Sequence, residues 1–456
     1  MNWDAWSHGA PVIASDLVVA RLGEARIPSP LDLTPVRDDG RGDFVSDESR
    51  VRYRIELHPD VARNDDVAFE KAGPRERLFF DPAETSAAIV TCGGLCPGLN
   101  AVIRSFFLEM HHHYGVKRVL GIRYGYEGLV PRVGVEPVVM TPELVRDIHR
   151  RGGTVLGSSR GPHDPREMVD FLIERGIDVL VCVGGDGTQR GAHAIHEEIR
   201  RRGAPIAVVG IPKTIDNDIP FCTRSFGYST ALERARDALD CAHEEARGAR
   251  NGIGLVKLMG RHAGFVTAGA TLASGEVNFV LIPEVPFELD GPRGFLAALA
   301  RRIQERAHAL VVVAEGAGQD LLGLDDSAGR DRSGNVALRD VGTFLRDRIE
   351  AHFDEIGVPL TLKYIEPSYM IRSVPANGED AVFCNALGRH AAHAAMAGRT
   401  DVLISDWQQE YVHVPIPLVV SREKRIRPGG EIWRSVIQST GQPARFGTPS
   451  DEVAPD

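Results

Sequence analysis

Lys213, Thr214, Asp216 and Asp218 follow Pro212 directly, where the apolar run Ile206 to Ile211 ends. The proline stiffens the turn. A carboxylate within hydrogen-bond reach of a reacting hydroxyl can take its proton, a contribution of roughly 10²- to 10⁴-fold. Asp216 is the candidate base, with Asp218 as a supporting or metal-linked carboxylate. Lys213 offers a point charge suited to phosphate oxygens, and it is one of only six lysines, with Lys71, Lys117, Lys257, Lys363 and Lys424. An Asx-turn with solvated carboxylates would account for the same aspartates taken alone.

Two glycine turns follow apolar runs: Gly93-Gly94-Leu95-Cys96-Pro97-Gly98-Leu99-Asn100 and Gly184-Gly185-Asp186-Gly187-Thr188. Without Cβ atoms, such turns let backbone N–H groups approach a phosphate, and a helix that follows adds its dipole. Either turn alone fits a plain strand-to-helix connection equally well. No lysine follows a glycine, which excludes the Walker A loop, and neither turn has the spacing G-x-G-x-x-G. Asp186, among small residues with space in front of it, suits one ligand of a largely hydrated magnesium ion bridging phosphates. At Gly187 a side chain would fill the space that the α-phosphate of a bulky donor needs.

Arginine's planar fork matches phosphate and stays charged at any working pH. Arg160, Arg261 and Arg372 sit in glycine- or proline-bound settings after apolar runs, and Glu315 is similarly placed after Leu310 to Ala314. A surface ion pair or a capping role is the plain alternative for each. His111-His112-His113 lies in a helical pattern, where consecutive residues point in different directions, so a shared metal is not expected. Cys92 and Cys96 lack a second ligand pair and read as buried thiols.

The elements that must position these groups follow from patterning. From Ser86 onward, short apolar runs end in glycine turns and give way to helical periodicity. Strands are expected at Ala87 to Thr91, Val119 to Ile122, Thr154 to Leu156, Val179 to Val183, Ile206 to Ile211, Gly254 to Leu258, Phe279 to Ile282, Leu310 to Ala314 and Thr361 to Ile365, with a helix from Leu99 to His113. Strands buried on both faces and alternating with helices imply an α/β fold with mostly parallel sheets, ligands lying at the carboxyl ends of the strands. There are too many strands for one sheet. Two lobes with the site between them are expected. Residues 1–84 are polar and rich in Pro and Asp, and read as an arm whose apolar anchor is Leu78-Phe79-Phe80. The body would span 85–420, with 421–456 as a C-terminal tail.

The chain of 456 residues is 43% hydrophobic with a formal charge of −10, enough to bury a substantial core and a poor match to nucleic acid or anionic membrane. Six cysteines in a chain of this length point to free thiols in a reducing, cytoplasmic setting. No apolar stretch approaches the roughly 18 residues of a membrane span.

Taken in order, Gly93-Gly94 with Pro97 to Asn100, Tyr124 to Leu129, Gly152 to Gly161, Gly184 to Thr188, Pro212 to Asp218, Met259 to Arg261 and Pro367 to Arg372 resemble the phosphofructokinase family, from about Ser86 to Leu418. The resemblance implies two Rossmann-like lobes, the nucleotide lobe mainly 85–215 and the sugar-phosphate lobe mainly 216–400. It also implies a homo-oligomer, dimer or tetramer, and transfer of the γ-phosphoryl of Mg²⁺-ATP to the 1-hydroxyl of fructose 6-phosphate. In that reading Asp216 is the base, and Lys213 and Arg160 act with it. Thr214, Ile215, Met259, Gly260, Arg261, Glu315, Tyr369, Met370, Ile371 and Arg372 hold the sugar phosphate. Gly93, Arg160, Gly161, Gly185, Gly187 and Thr188 hold ATP, and Asp186 holds magnesium. Where simpler bacterial members reach the sugar phosphate with arginines from a neighbouring subunit, this chain has Gly252 and Lys363. The donor markers disagree: Lys213 is shared with a pyrophosphate-dependent branch, whereas glycine at 187 leaves room for a nucleotide. The combination, together with the long amino-terminal extension, resembles the plant-type ATP-dependent branch.

Overall fold

A computed structural model describes residues 11–33, 44–55, 67–323, 329 and 336–447. Parts of the expected arm and tail, residues 1–10, 34–43, 56–66 and 448–456, lie outside the described residues.

The apolar runs form the middle of a nine-stranded sheet. Its five central strands run parallel, in the order Val402–Trp407, Ala207–Pro212, Val179–Gly184, Ser86–Thr91 and Arg118–Ile122. All residues of Ser86–Thr91, Val179–Gly184 and Ala207–Pro212 are buried, which is what a strand covered on both faces requires. Register then aligns the loops. Thr91 stands opposite Val183, and Gly184 opposite Pro212, so the two glycine turns and the Lys213 segment leave the sheet side by side.

A second sheet of four parallel strands runs in the order Phe279–Leu281, His308–Ala314, Gly252–Leu258 and Thr361–Ile365. Leu258 pairs with Ala314, which brings Met259 and Glu315 out together. One apolar core runs between the two lobes, joining Ile89 and Val209 of the first sheet to Val256 and Leu310 of the second. Separate cores cover the far face of each sheet.

Three expectations need correction. Thr154 to Leu156 is no strand, because its polar groups bond to side chains instead of a ladder: Thr91 Oγ1 meets Thr154 Oγ1 at 2.9 Å, and Asn100 Oδ1 accepts from Val155 N at 2.8 Å. The helix expected to reach His113 is α-helical only over Leu99–Leu108, and Glu109–His113 widens into a π-turn. The amino-terminal segment is more than an arm with one anchor. Leu78 and Phe80 are buried as expected, but Ala68–Lys71 and Arg50–Arg52 also extend the large sheet antiparallel beyond Glu410–Pro415. Phe69 and Tyr53 pack on Trp407, the Tyr53 ring stacked at 5.6 Å. Behind them the buried Glu70 takes hydrogen bonds from Arg399 at 2.9 Å and Arg75 at 3.3 Å, and meets His413 at 3.2 Å.

Past the second sheet, the chain returns to the first for Val402–Trp407 and Glu410–Pro415. Farther on, the chain packs on the second lobe, where Gln442 bonds both backbone groups of Val280 and Phe446 enters the core.

Candidate functional site

The site is built where the central strands of the large sheet end. Gly93 leaves its strand at φ 82°, a conformation that favours glycine. A Cβ there would lie 3.1 Å from Lys213 Nζ, and one on Gly94 would lie 3.0 Å from a guanidinium nitrogen of Arg160. The Lys213 ammonium donates to the Gly94 carbonyl at 2.8 Å, so the acid-cluster loop and the first glycine turn are tied directly. Burial pulls the Lys213 pKa down, and Arg160 adds to the effect. Gly161, next in the chain, takes φ 121°.

Side chains hold the turns in place. Ser158 Oγ donates to the Gly93 carbonyl at 2.6 Å, and Asn100 Nδ2 donates to the Arg151 carbonyl at 3.1 Å. Tyr126 Oη donates to the Thr188 carbonyl at 2.7 Å, and Gln189 Nε2 to the Gly184 carbonyl at 3.0 Å. Asn100 and Tyr126 lie inside the motifs quoted above, yet a positioning role is not readable from their types alone. Gly185 caps the helix Asp186–Arg202, so Asp186 and Gly187 occupy its first turn. Asp186 is exposed and paired with Arg190 at 2.9 Å. Around a Cβ built on Gly187, no atom of the described residues beyond its chain neighbours and its own helix backbone comes within 4 Å.

Asp216 meets the opposite environment. Its Oδ1 is buried with no hydrogen-bond partner among the described residues. Burial drives its pKa well above the carboxylate range, Asp218 and Glu315 add to the rise, and Lys213 and Arg261 oppose it. The loop is shaped by its own side chains: Thr214 Oγ1 accepts from Asp216 N at 3.2 Å, and Asn217, at φ 55°, accepts from Ser225 N at 2.9 Å. Ile215 is buried against the core.

From the second lobe, Met259 is buried, Gly260 takes φ 134°, and Arg261 donates to the Val336 carbonyl at 2.7 Å. Burial raises the Glu315 pKa, with Arg261 and Lys257 opposing. Arg372 lies over the Tyr369 ring at 4.9 Å. It also lines a cavity of about 460 Å³ together with Gly93, Gly94, Gly152, Ser158 and Arg160, so this space belongs to both lobes.

Two expected residues stand apart. Ile371 is fully buried in the core, where its side chain secures the helix Ser368–Arg372, while Tyr369 and Met370 are exposed. Lys363 pairs with Glu245 and faces Gly254, four residues before Leu258 and therefore roughly 13 Å short of the strand end. Gly252 has no room for a side chain, since its Cβ would lie 2.0 Å from the Ala246 carbonyl oxygen. Cys92 and Cys96 are buried, and burial pushes both thiols up. His113 pairs with Glu109 at 2.7 Å while His111 meets the Val116 carbonyl at 3.2 Å.

The family model described as Phosphofructokinase matches residues 86–395. The chain is 49% identical to an ATP-dependent 6-phosphofructokinase of Amycolatopsis methanolica, over 95% of this chain and 96% of that one. It is 46% identical to one of Borreliella burgdorferi, over 94% and 97%, and 44% identical to ATP-dependent 6-phosphofructokinase 7 of Arabidopsis thaliana, over 92% and 86%. Among solved structures, a pyrophosphate-dependent phosphofructokinase of Marinobacter aquaeolei aligns at TM-score 0.64 and 21% identity over 80% of this chain and 94% of that one, a likeness of fold.

Proposed function

We propose, for a chain that belongs to the phosphofructokinase family, that it works as an ATP-dependent 6-phosphofructokinase with Asp216 as its base. The enzyme transfers the γ-phosphoryl of ATP to the 1-hydroxyl of fructose 6-phosphate. The observation behind the base assignment is the buried oxygen of Asp216 that has no hydrogen-bond partner among the described residues, in the same loop as Lys213 and its hold on the Gly94 turn.

The proton of the 1-hydroxyl passes to the Asp216 carboxylate as its oxygen attacks the γ-phosphorus. The bond from that phosphorus to the β,γ-bridging oxygen breaks, and ADP leaves. Phosphoryl transfer depends chiefly on positioning and preorganised charge. Arg160 and Lys213 supply the positive charge, and Gly93, Gly161, Gly185, Gly187 and Thr188 cradle the nucleotide. Arg261, Glu315 and Arg372, with Thr214, Met259, Gly260, Tyr369 and Met370, orient the sugar phosphate. Asp186 fits a magnesium ion that keeps most of its own water, because it offers one exposed carboxylate with open space beside Gly187. Bound there, the ion neutralises charge on the ATP phosphates.

Gly187 leaves room for the nucleotide, and the relatives quoted above carry the ATP-dependent name. Lys363 would serve the site of a neighbouring copy in a homo-oligomer, a dimer or tetramer; the exposed Val382 offers apolar surface for such a contact. The six free cysteines suit a cytoplasmic setting, and no helix among the described residues is long and apolar enough to cross a membrane.

Steady-state assays with each donor test the activity. Turnover is expected with ATP and to be negligible with pyrophosphate; equal or faster turnover with pyrophosphate would reject the donor assignment.

A further inference from the structure

Lys424 lies in the C-terminal stretch, far in sequence from every motif, yet it is 2% exposed and sits under the acid-cluster loop. Its ammonium donates to the Cys222 carbonyl at 2.8 Å and the Thr223 carbonyl at 3.3 Å, in the second half of that loop. It also lies 5.2 Å from the centre of the Phe265 ring, the first residue of the helix Phe265–Ser274 in the second lobe. Two neighbours repeat the pattern. Arg422 lies over the Phe221 ring at 5.8 Å on the first-lobe side. Ile426 N donates at 2.9 Å to Glu284, whose carboxylate also accepts from Gly264 N at 3.0 Å on the second-lobe side. Five residues of chain therefore join the loop bearing Asp216 and Asp218 to the turn that follows Met259-Gly260-Arg261.

Burying an ammonium is costly unless it is well hydrogen-bonded, and it depresses the pKa of this lysine to about 8, with Cys222 and Asp218 opposing. An apolar residue would fill the same space at less cost. What it would not do is answer the Cys222 and Thr223 carbonyls in a loop strained at Asn217 and Phe221, both at positive φ.

We infer that Lys424 is a positioning residue for phosphoryl transfer: the segment 422–426 clasps the two lobes, and its buried ammonium fixes the Asp216–Asp218 loop against the sugar-phosphate turn. A reacting carboxylate must be held within a fraction of an ångström of its target, and small misplacements cost on the order of 10²-fold. The inference rests on Asp216 as the base. Loss of the clasp moves that base relative to the sugar while leaving the nucleotide turns, which are pinned by Lys213, Ser158 and Tyr126, in place.

The test compares Lys424→Met and Lys424→Arg with the full-length enzyme. For Lys424→Met, kcat should fall by about tenfold or more while KM for ATP stays within about twofold, and Lys424→Arg should recover part of the loss. Amide hydrogen exchange should quicken over 214–223 and not over 184–188. A kcat within about twofold of the parent in Lys424→Met would overturn the inference, as would a rise in the KM for ATP that matches the fall in kcat. If Lys424→Met does not fold, Lys424→Arg decides. Reduced kcat at an unchanged melting temperature supports the clasp, and unchanged kcat overturns it. Failure of the base assignment is separate: it would show as turnover surviving in Asp216→Ser while the lysine variants behave in any manner.

Discussion

Two aspartates reach the same edge of the large sheet in opposite surroundings. Asp186 opens a helix, stands in solvent and pairs with Arg190. Asp216 lies one strand away with a buried oxygen that nothing among the described residues satisfies, and its pKa is driven up by burial, by Asp218 and by Glu315. The difference supports the proposed roles. A solvated carboxylate can share a hydrated cation, whereas a desolvated one gains from accepting a proton.

The comparison breaks most severely at Asp216. Replacing it with serine should lower kcat by roughly 10²- to 10⁴-fold while fructose 6-phosphate still binds, as calorimetry would register. Retained turnover would falsify the base assignment. A smaller loss, on the order of 10- to 200-fold in kcat/KM for ATP, is expected for Gly187→Asp, because a side chain there starts into the open space at the first turn of the helix. A correctly folded variant with unchanged ATP kinetics would show that this space is not where the nucleotide lies.

The smallest effect is on stability. A carboxylate whose folded pKa is raised contributes stability that is fully present below its unfolded pKa, near 4, and lost as pH rises through the folded value. At pH 7, Asp216→Asn should therefore be more stable than the parent by about 1 kcal/mol, and the gap should close as pH falls towards about 4. With Asp216 as the proposed base, the same raised pKa should place the acid limb of kcat/KM above the ordinary carboxylate range. Thermal melts across pH check the first point and a pH–rate profile the second.

Much of this was open to reading in the chain itself. Strands such as Val179–Gly184 and Ala207–Pro212 are apolar on both faces, so their positions and the turns after them follow from pattern alone. Thr154 to Leu156 misleads because β-branched and apolar residues there serve a segment pinned by Thr91 and Asn100, a tertiary arrangement that local propensity does not encode. Arg50–Arg52 and Ala68–Lys71 hide behind charge. The strand that ties Ala68–Lys71 to the sheet begins at Glu410, and Glu70 is neutralised by Arg75 and Arg399, one of them more than three hundred residues distant. Ile371 shows a finer limit, since a motif fixes a segment at the site without saying which of its side chains turn into the core. Lys424 offered one faint signal, its rarity as a lysine, while its neighbours gave none.

The contrast between the two carboxylates is tested most directly by titrating Mg²⁺ against the turnover of Asp186→Asn and Asp216→Asn side by side. Asp186→Asn should need about tenfold or more Mg²⁺ and recover as it is supplied, whereas Asp216→Asn should stay inactive at every concentration. Recovery of Asp216→Asn by Mg²⁺, or an Asp186→Asn curve that overlays the parent, would contradict the division of roles.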